Sequence, residues 1–378
     1  MTGAENWSAA RNILAVRLDA MGDVLMTGPA LRALKAGLPG RRLSLLTSPA
    51  GAAAAQLLPD LDEVIVYAAP WMKATPTPSD SSNDHAMIQT LADRRFDGAV
   101  VFTVYSQNPL PAALLCYLAN IPRRMAYCRE NPYHLLTDRV VETEPEHHVR
   151  HEVRRQLDLV GEIGCRLRDE RMRLALTPEM RRLGRRILAE AGIEPSSRWV
   201  LLHPGASAPS RKYPPEMFLE AAQVLVREQD VRFLVTGSPS ERDAVDVIAK
   251  GLGDSARVWI GGSSLAEFAA LVDLAPVVLT NNTGPAHLAA ALQTPVVDLY
   301  ALTNPQHTPW MTPARVLNAD VPCKWCYKSV CPEQHNDCLR KVPPSAVADA
   351  VSELLADRPE RISGSLRTPL PLGETRWG

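Results

Sequence analysis

A chain of 378 residues, 46% hydrophobic and 22% charged, has a globular composition and the length for two cores, and its formal net charge of −1 gives no electrostatic ground for general nucleic-acid binding. No stretch reaches the roughly 18 uninterrupted apolar residues of a membrane-spanning helix, and Met1–Arg11 is polar where a signal peptide would be apolar. Of seven cysteines, three are scattered (Cys116, Cys128, Cys165) and four cluster late, which is not a secreted disulfide framework, so the chain reads as cytoplasmic.

Asn12–Leu18 (NILAVRL) is an apolar run of strand length, broken by Asp19–Ala20–Met21–Gly22. Asp23 then opens a helix, DVLMTGPALRALKAGL, which Pro39–Gly40 ends. Leu43–Thr47 and Val64–Tyr67 read as strands, with the alanine-rich helix Ala50–Leu58 between them. This alternation predicts a parallel sheet with helices on both faces. Ala68–His85 is rich in Pro, Ser and Asp and reads as a loop; a helix at Met87–Arg94 and a buried strand at Gly98–Val104 follow. Leu110–Leu118 is an apolar helix, suited to a core or, less simply, to a lipid acceptor.

From Arg123 the chain turns basic, with Arg124, Arg129, Arg139 and then HHVRHEVRR over His147–Arg155. Such a run serves either as a solvated helix face or as a patch for an acceptor bearing carboxylates or phosphates, which the arginine fork suits. Asp23 has two readings as well. It follows the first strand, where open α/β sheets place ligands. It can cap the helix, or it can act as a general base that the positive helix end keeps ionised, ready but weak.

A boundary falls near Cys165–Arg173. Pro178–Gly192 reads as a helix and Trp199–His203 as a strand, leading into HPGASAPSRKYPPEMF. Gly205, Ala206 and Ser207 make a small-residue loop, with Arg211 and Lys212 supplying charge before the next helix. Small backbone beside a cation is a way to hold a phosphate, with Lys212 as a point charge on a leaving diphosphate; the plain alternative is a surface cation. Val231–Thr236 is a strand, and Glu241 after it can bind ribose hydroxyls or simply begin the next helix. Val258–Ile260 precedes Gly261–Gly262–Ser263–Ser264, a turn that would admit a nucleotide base, and the helix Leu265–Leu274.

The richest stretch is PVVLTNNTGPAHLAAALQTPVVDLYALTNPQHTPW, Pro276–Trp310. Val277–Thr280 is a strand. Asn281–Asn282–Thr283–Gly284–Pro285 is a sharp turn, Ala286–Leu292 a helix and Val296–Tyr300 a strand. A glycine turn opening a helix leaves unpaired N–H groups at the positive helix end, a place for a diphosphate to which His287 could donate a further hydrogen bond; an ordinary βα turn with a histidine on its surface is the plain alternative.

Four pieces in this order, ILAVRLDAMGDVLMTGPAL, HPGASAPSRKYPPE, VTGSPSERD and NNTGPAHLAAALQTPVVDLY, resemble glycosyltransferase family 9, the bacterial heptosyltransferases of lipopolysaccharide core synthesis, over roughly residues 12–355. The resemblance implies a GT-B architecture, α/β with two Rossmann-like domains whose parallel sheets face each other across a cleft. Residues 363–378, rich in Pro, Gly and polar side chains, read from composition as a disordered tail, and the resemblance divides the rest into an acceptor domain at 1–168 and a nucleotide-sugar domain at 169–362. It implies Asp23 as base and Lys212 as the catalytic cation on the donor diphosphate. The donor site it implies comprises Gly22, Ser207, Lys212, Glu241, Asn282, Thr283, Gly284, Pro285 and His287. The family often has Asp immediately before Thr-Gly, whereas this chain has Asn282, a departure that bears on the donor sugar. The implied reaction is an inverting single displacement from an ADP-sugar, needing no metal or cofactor, onto an acidic or lipid-linked glycan, with peripheral contact at the inner membrane and no nucleic acid. A nucleotide-sugar epimerase, or a non-catalytic sugar-nucleotide binder on the same scaffold, is the alternative.

Cys323, Cys326, Cys331 and Cys338 remain outside this scheme. A C-x-x-C pair with two more cysteines nearby fits structural zinc, and free or redox-active thiols fit equally.

Overall fold

The structure is a computed structural model describing residues 7–73, 75–194, 196–261 and 264–357. The Gly262–Ser263 part of the base-admitting turn and the tail expected at 363–378 lie outside these residues.

The first lobe is a six-stranded parallel sheet in the order β3-β2-β1-β4-β5-β6. Its strands are β1 (Asn12–Arg17), β2 (Arg42–Thr47), β3 (Glu63–Val66), β4 (Gly98–Val101), β5 (Arg124–Cys128) and β6 (Asp138–Val141). Its helices are α1 (Met21–Ala36), α2 (Pro49–Ala55), α3 (Ser82–Asp93), α4 (Leu110–Leu118) and α5 (Glu152–Gly161). The second lobe begins with α6 (Pro178–Glu190) and repeats the plan with β7 (Trp199–His203), β8 (Arg232–Gly237), β9 (Ala256–Ile260), β10 (Val278–Asn281), β11 (Val296–Leu299) and β12 (Ala314–Leu317). These strands run in the order β12-β11-β10-β7-β8-β9, again parallel. Helices α7 (Pro215–Gln229), α8 (Arg242–Leu252), α9 (Leu265–Leu274), α10 (Gly284–Leu292), the short α11 (Asp337–Arg340) and α12 (Pro344–Ala356) complete it. These are two Rossmann-like sheets, as the resemblance implied.

The alternation of side chains along each strand explains the layers. Ile13 and Ala15 of β1 face one apolar cluster while Leu14 and Val16 face another. In β7, Trp199 and Leu201 join the first cluster and Val200 and Leu202 a third. The first cluster runs unbroken from one lobe into the other, through α1, α2, α5, α6, α9 and α10. The lobes are therefore joined by a shared apolar body between the sheets, with α3 and α4 on one outer face and α7, α8 and α12 on the other.

Several expected elements shift. Helix α3 begins at Ser82, inside the stretch read as loop. Strands β5, β6 and β12 are absent from the sequence reading: each has only four or five residues and carries arginine, which masks its strand character.

Both sheets change direction of progression beside their first strand, between β1 and β4 and between β7 and β10. Ligands of such sheets sit beyond the carboxyl ends of the strands at that point. The loops there are 18–20 and 102–109 in the first lobe, and 204–214 and 282–283 in the second.

Close packing of α6 on α9 fixes one wall of the second lobe: a Cβ at Gly184 would stand 2.9 Å from Ala270 Cβ and 3.1 Å from its backbone. Gly184→Val is expected to destabilise the fold by about 1–3 kcal/mol through overpacking, read as a lower urea midpoint with an unchanged slope.

Candidate functional site

Strand β1 ends in Arg17, whose side chain is 0% exposed. A buried guanidinium requires partners, and three carboxylates supply them. Asp19 Oδ2 lies 2.8 Å from Nε, Asp23 Oδ1 3.2 Å from one terminal nitrogen, and Glu152 Oε1, brought by α5, 2.8 Å from the other. Gln107 Nε2 donates to Asp19 and Gln156 Nε2 donates to Glu152. Burial by itself would favour losing the Arg17 proton, but Asp19, Glu152 and Asp23 more than reverse this, so the guanidinium stays charged.

Three carboxylates around one cation leave negative charge in excess, and Asp23 bears the consequence. Burial, opposed by Arg17 and reinforced by Asp19 and Glu152, pushes its carboxyl up to about 6. Its side chain keeps 22% exposure, the most of the three carboxylates. This differs from the weak base expected from the helix end alone, because desolvation outweighs the helix dipole. Asp23 does not serve as the cap either: the N-cap of α1 is Ala20, with no side-chain cap bond.

In the second lobe β10 ends at Asn281, which draws the loops together. Its Oδ1 accepts from Tyr213 N at 3.0 Å and its Nδ2 donates to the Pro204 carbonyl at 2.7 Å. Thr283 is the N-cap of α10, again with no side-chain cap bond, and Gly284 and Pro285 form its first turn. His287 follows, 5% exposed, with Nδ1 unpartnered. Burial, with repulsion from His151 and Arg211, takes its pKa down to about 3, so the ring is neutral.

The two turns touch. A Cβ on Gly22 would stand 2.8 Å from His287 Cδ2, and one on Gly284 would collide with Met21 Cε. Two helix N-termini from opposite lobes thus meet at glycines, with Asp23 on the first turn of one and His287 on the first turn of the other. Such a junction favours an anion. A second junction holds the lobes nearby. His151 Nδ1 accepts from Val153 N, so its Nε2 carries the proton and donates to the Thr308 carbonyl at 2.8 Å; Glu152 N donates to the Gln306 carbonyl at 2.9 Å.

The Arg211 charge acts on His287, Asp298, Tyr300 and His307, and Arg17 acts on His307 as well. Lys212, expected in that place, is exposed, as is Ser207. Arg211 ends the 3₁₀ turn Pro209–Arg211 and Lys212 follows it, a difference that spacing alone does not show. That turn is pinned by Ser210, whose N donates to the Ser329 carbonyl at 3.0 Å and whose Oγ donates to that of Lys328 at 2.8 Å. Glu241 closes a capping box: Oε2 accepts from Ser238 N at 2.8 Å and Ser238 Oγ at 2.9 Å. Its Oε1 packs against Gly205, where no Cβ would fit.

The basic run does not form an open patch. Arg155 pairs with Glu142 at 2.5 Å and Glu144 at 2.6 Å, and Arg150 with Glu144 and Asp158. Arg154 pairs with Asp158 and Glu170, and Arg124 donates to the carbonyls of Ile121, His134 and Leu135. Arg129 and Arg139 are likewise spent on main-chain carbonyls. The acidic residues that neutralise these arginines come mostly from outside the run, which is why the run looked unpaired in sequence.

The four late cysteines line one cavity of about 20 Å³ with His335 and Ser210. Among the described residues no group of three or more His, Cys, Asp or Glu side chains is arranged to hold a metal ion. The loop they belong to buttresses the Arg211 turn through Lys328 and Ser329, and its Tyr327 meets Tyr105 of the first lobe edge to face, ring centroids 6.0 Å apart.

With this geometry established, comparison with known proteins is informative. The family described as Glycosyltransferase family 9 (heptosyltransferase) matches residues 85–336. Lipopolysaccharide heptosyltransferase 2 of Salmonella typhimurium is 25% identical over 356 residues, covering 91% of this chain and 99% of that protein. The structure of the E. coli ADP-heptose lps heptosyltransferase II superposes with a TM-score of 0.72 at 22% identity, over 91% of this chain and 98% of that one. A family 9 glycosyl transferase from Veillonella parvula DSM 2008 superposes with a TM-score of 0.74 at 19% identity, over 92% and 98%.

The electrostatics predict that Asp23 titrates near pH 6, measurable by carboxyl carbon NMR. Asp19→Asn removes a repelling charge and leaves Arg17 less compensated. The Asp23 midpoint should therefore move to lower pH; an upward shift or none contradicts the cluster as described.

Proposed function

Because the chain belongs to glycosyltransferase family 9, and is a glycosyltransferase, we propose that it moves a heptose or a related sugar from an ADP-sugar to a lipopolysaccharide-core or other acidic or lipid-linked glycan, with Asp23 as general base. The observation that carries this reading is the meeting of two helix N-termini, one from each lobe, beside an Asp23 carboxyl raised to about 6. It agrees with the names of the relatives, which are heptosyltransferases of lipopolysaccharide, one of them called an ADP-heptose enzyme.

The chemistry follows from the charges. A hydroxyl of the acceptor attacks the anomeric carbon of the donor from the face opposite the leaving group, so the configuration inverts. As the oxygen–carbon bond forms, the hydroxyl proton passes to Asp23, and the bond from the anomeric carbon to the diphosphate oxygen breaks. A carboxyl near 6 is a better base than an ordinary aspartate and is still mostly ionised at neutral pH. The departing diphosphate gathers charge where the N–H groups of α10 and the Arg211 guanidinium stand. His287, neutral, offers one N–H. Such donors, fixed before reaction, are typically worth about 10²–10³ in rate each. No step in this reading draws on a metal or cofactor, and Arg211 takes the place first expected for Lys212.

A lipid-linked acceptor would be met at a membrane surface. Among the described residues no helix is long and apolar enough to cross a membrane. Helix α4 does leave Leu114, Tyr117 and Leu118 exposed, a small apolar face that suits peripheral contact in this reading.

Asp23→Asn is expected to lower kcat at least about 10³-fold while ADP still binds, since the change removes the proton acceptor and keeps the side-chain shape. In the parent protein kcat/KM should fall as pH drops through about 6, where Asp23 takes up a proton. Arg211→Ala should cost roughly 10²–10³ in kcat and Lys212→Ala less than about tenfold; the opposite order would restore Lys212 to the leaving group. Release of ADP from ADP-heptose with glycan acceptor present, and not without it, tests the reaction class.

A further inference from the structure

Strand β10 leads into two asparagines with different tasks. Asn281 ties loops together. Asn282, 2% exposed, sits immediately before the N-cap of α10 and gives Nδ2 to two acceptors, Asp298 Oδ2 at 3.1 Å and the His307 carbonyl at 2.9 Å. A main-chain carbonyl only accepts, so the His307 carbonyl by itself requires the nitrogen on that side, whichever way the amide is first drawn. Both amide hydrogens are committed. The amide oxygen accepts from no described protein group and is not among the sealed, unpartnered atoms, so it is the atom left open to a ligand.

Asp298 is an odd residue for its place. It lies in β11 among Val296, Val297 and Leu299, is itself 0% exposed, and is the register partner of Thr280. Burial pushes its carboxyl up to about 7 against the Asn282 hydrogen bond and the Arg211 charge, and its Oδ1 has no partner. A carboxylate with one hydrogen bond in a strand core stabilises less than an aliphatic side chain of similar size would. Stability does not account for it, whereas orientation of Asn282 does.

We infer that Asp298 is a positioning residue which, with the His307 carbonyl, locks the Asn282 amide so that its oxygen is presented as a neutral acceptor to a hydroxyl of the donor sugar. By resemblance, the family often has aspartate at this position, where a carboxylate would itself be the acceptor. This chain sets the carboxylate one layer deeper and offers an amide oxygen in its place. The acceptor atom is kept while its charge is withdrawn, which changes how strongly a given sugar hydroxyl is held and so which sugar is preferred. The inference rests on the proposed function, since it takes the ligand beside Asn282 to be the sugar of an ADP-sugar.

The test is the ratio of the Kd for ADP to that for ADP-heptose, measured by calorimetry, which isolates what the sugar contributes. Asp298→Leu should reduce that ratio roughly tenfold while the Kd for ADP is unchanged. Asp298→Asn should keep the ratio, because an asparagine oxygen there still accepts from the Asn282 amide. N282D should lose it, since it has no hydrogen for the His307 carbonyl and sets two carboxylates together. The double variant N282D/D298N should recover much of the loss, because the deeper amide then donates to the outer carboxylate. An unchanged ratio in Asp298→Leu, or a double variant no better than N282D, overturns the inference. ADP binding reports a folded site in every variant, and if Asp298→Leu does not fold, the N282D pair decides alone. A parent protein that binds ADP with no gain from the sugar also overturns it. A parent protein that binds neither ADP nor ADP-heptose removes the functional reading and the inference together.

Discussion

Two helix N-termini are held tip to tip, and that contact constrains the rest of the molecule. Unpaired N–H groups at a helix start repel one another as they would attract an anion. Their approach is possible because Gly22 and Gly284 carry no side chain and because the helices bearing them share one apolar body across the lobes. The opposed positive ends are thus imposed by hydrophobic packing, and an anion between them relieves the repulsion. The proposed diphosphate would supply that anion, and the same contact puts Asp23 and His287 on one small space.

The charge cluster behind Asp23 follows from the same placement. Arg17 ends a central strand and cannot reach water, so it gathers Asp19, Asp23 and Glu152. One cation cannot satisfy three carboxylates equally. Asp19 and Glu152 are also held by Gln107 and Gln156, whereas Asp23 faces the cleft with the longest of the three contacts. The most weakly held carboxylate is the one whose proton affinity rises, and it is also the one a substrate can reach.

Elsewhere the molecule uses polar groups to hold backbone in place. The arginines of the 123–155 region are consumed by Glu142, Glu144, Asp158 and main-chain carbonyls. The cysteine-bearing loop supports the turn that carries Arg211 and touches Tyr105 across the lobes. Both features read in sequence as candidate ligand sites, and in the fold both also tie neighbouring segments together. Asn282 and Asp298 extend the pattern: a buried charge whose evident work is to aim one amide.

The sequence by itself determined the α/β alternation, the paired Rossmann-like plan, the family, and the turns at Gly22–Asp23 and Thr283–His287 that flank the junction. These are local properties: strand-length apolar runs, glycines where helices begin, and motifs kept in order. What only the tertiary structure decided depends on side chains meeting from distant parts of the chain. Glu152 reaches Arg17 from 135 residues away, and burial, with Asp19 and then Glu152, raises the Asp23 carboxyl to about 6. The three-residue turn that carries Arg211, with Lys212 just beyond it, is pinned from Lys328 and Ser329 more than a hundred residues away. Asp298 was unremarked in sequence, because a single acidic residue in an apolar strand acquires a role only when Asn282 is seen donating to it. Local pattern sets where elements begin and end, whereas proton affinity and side-chain aim are set by burial and by neighbours that folding alone brings together.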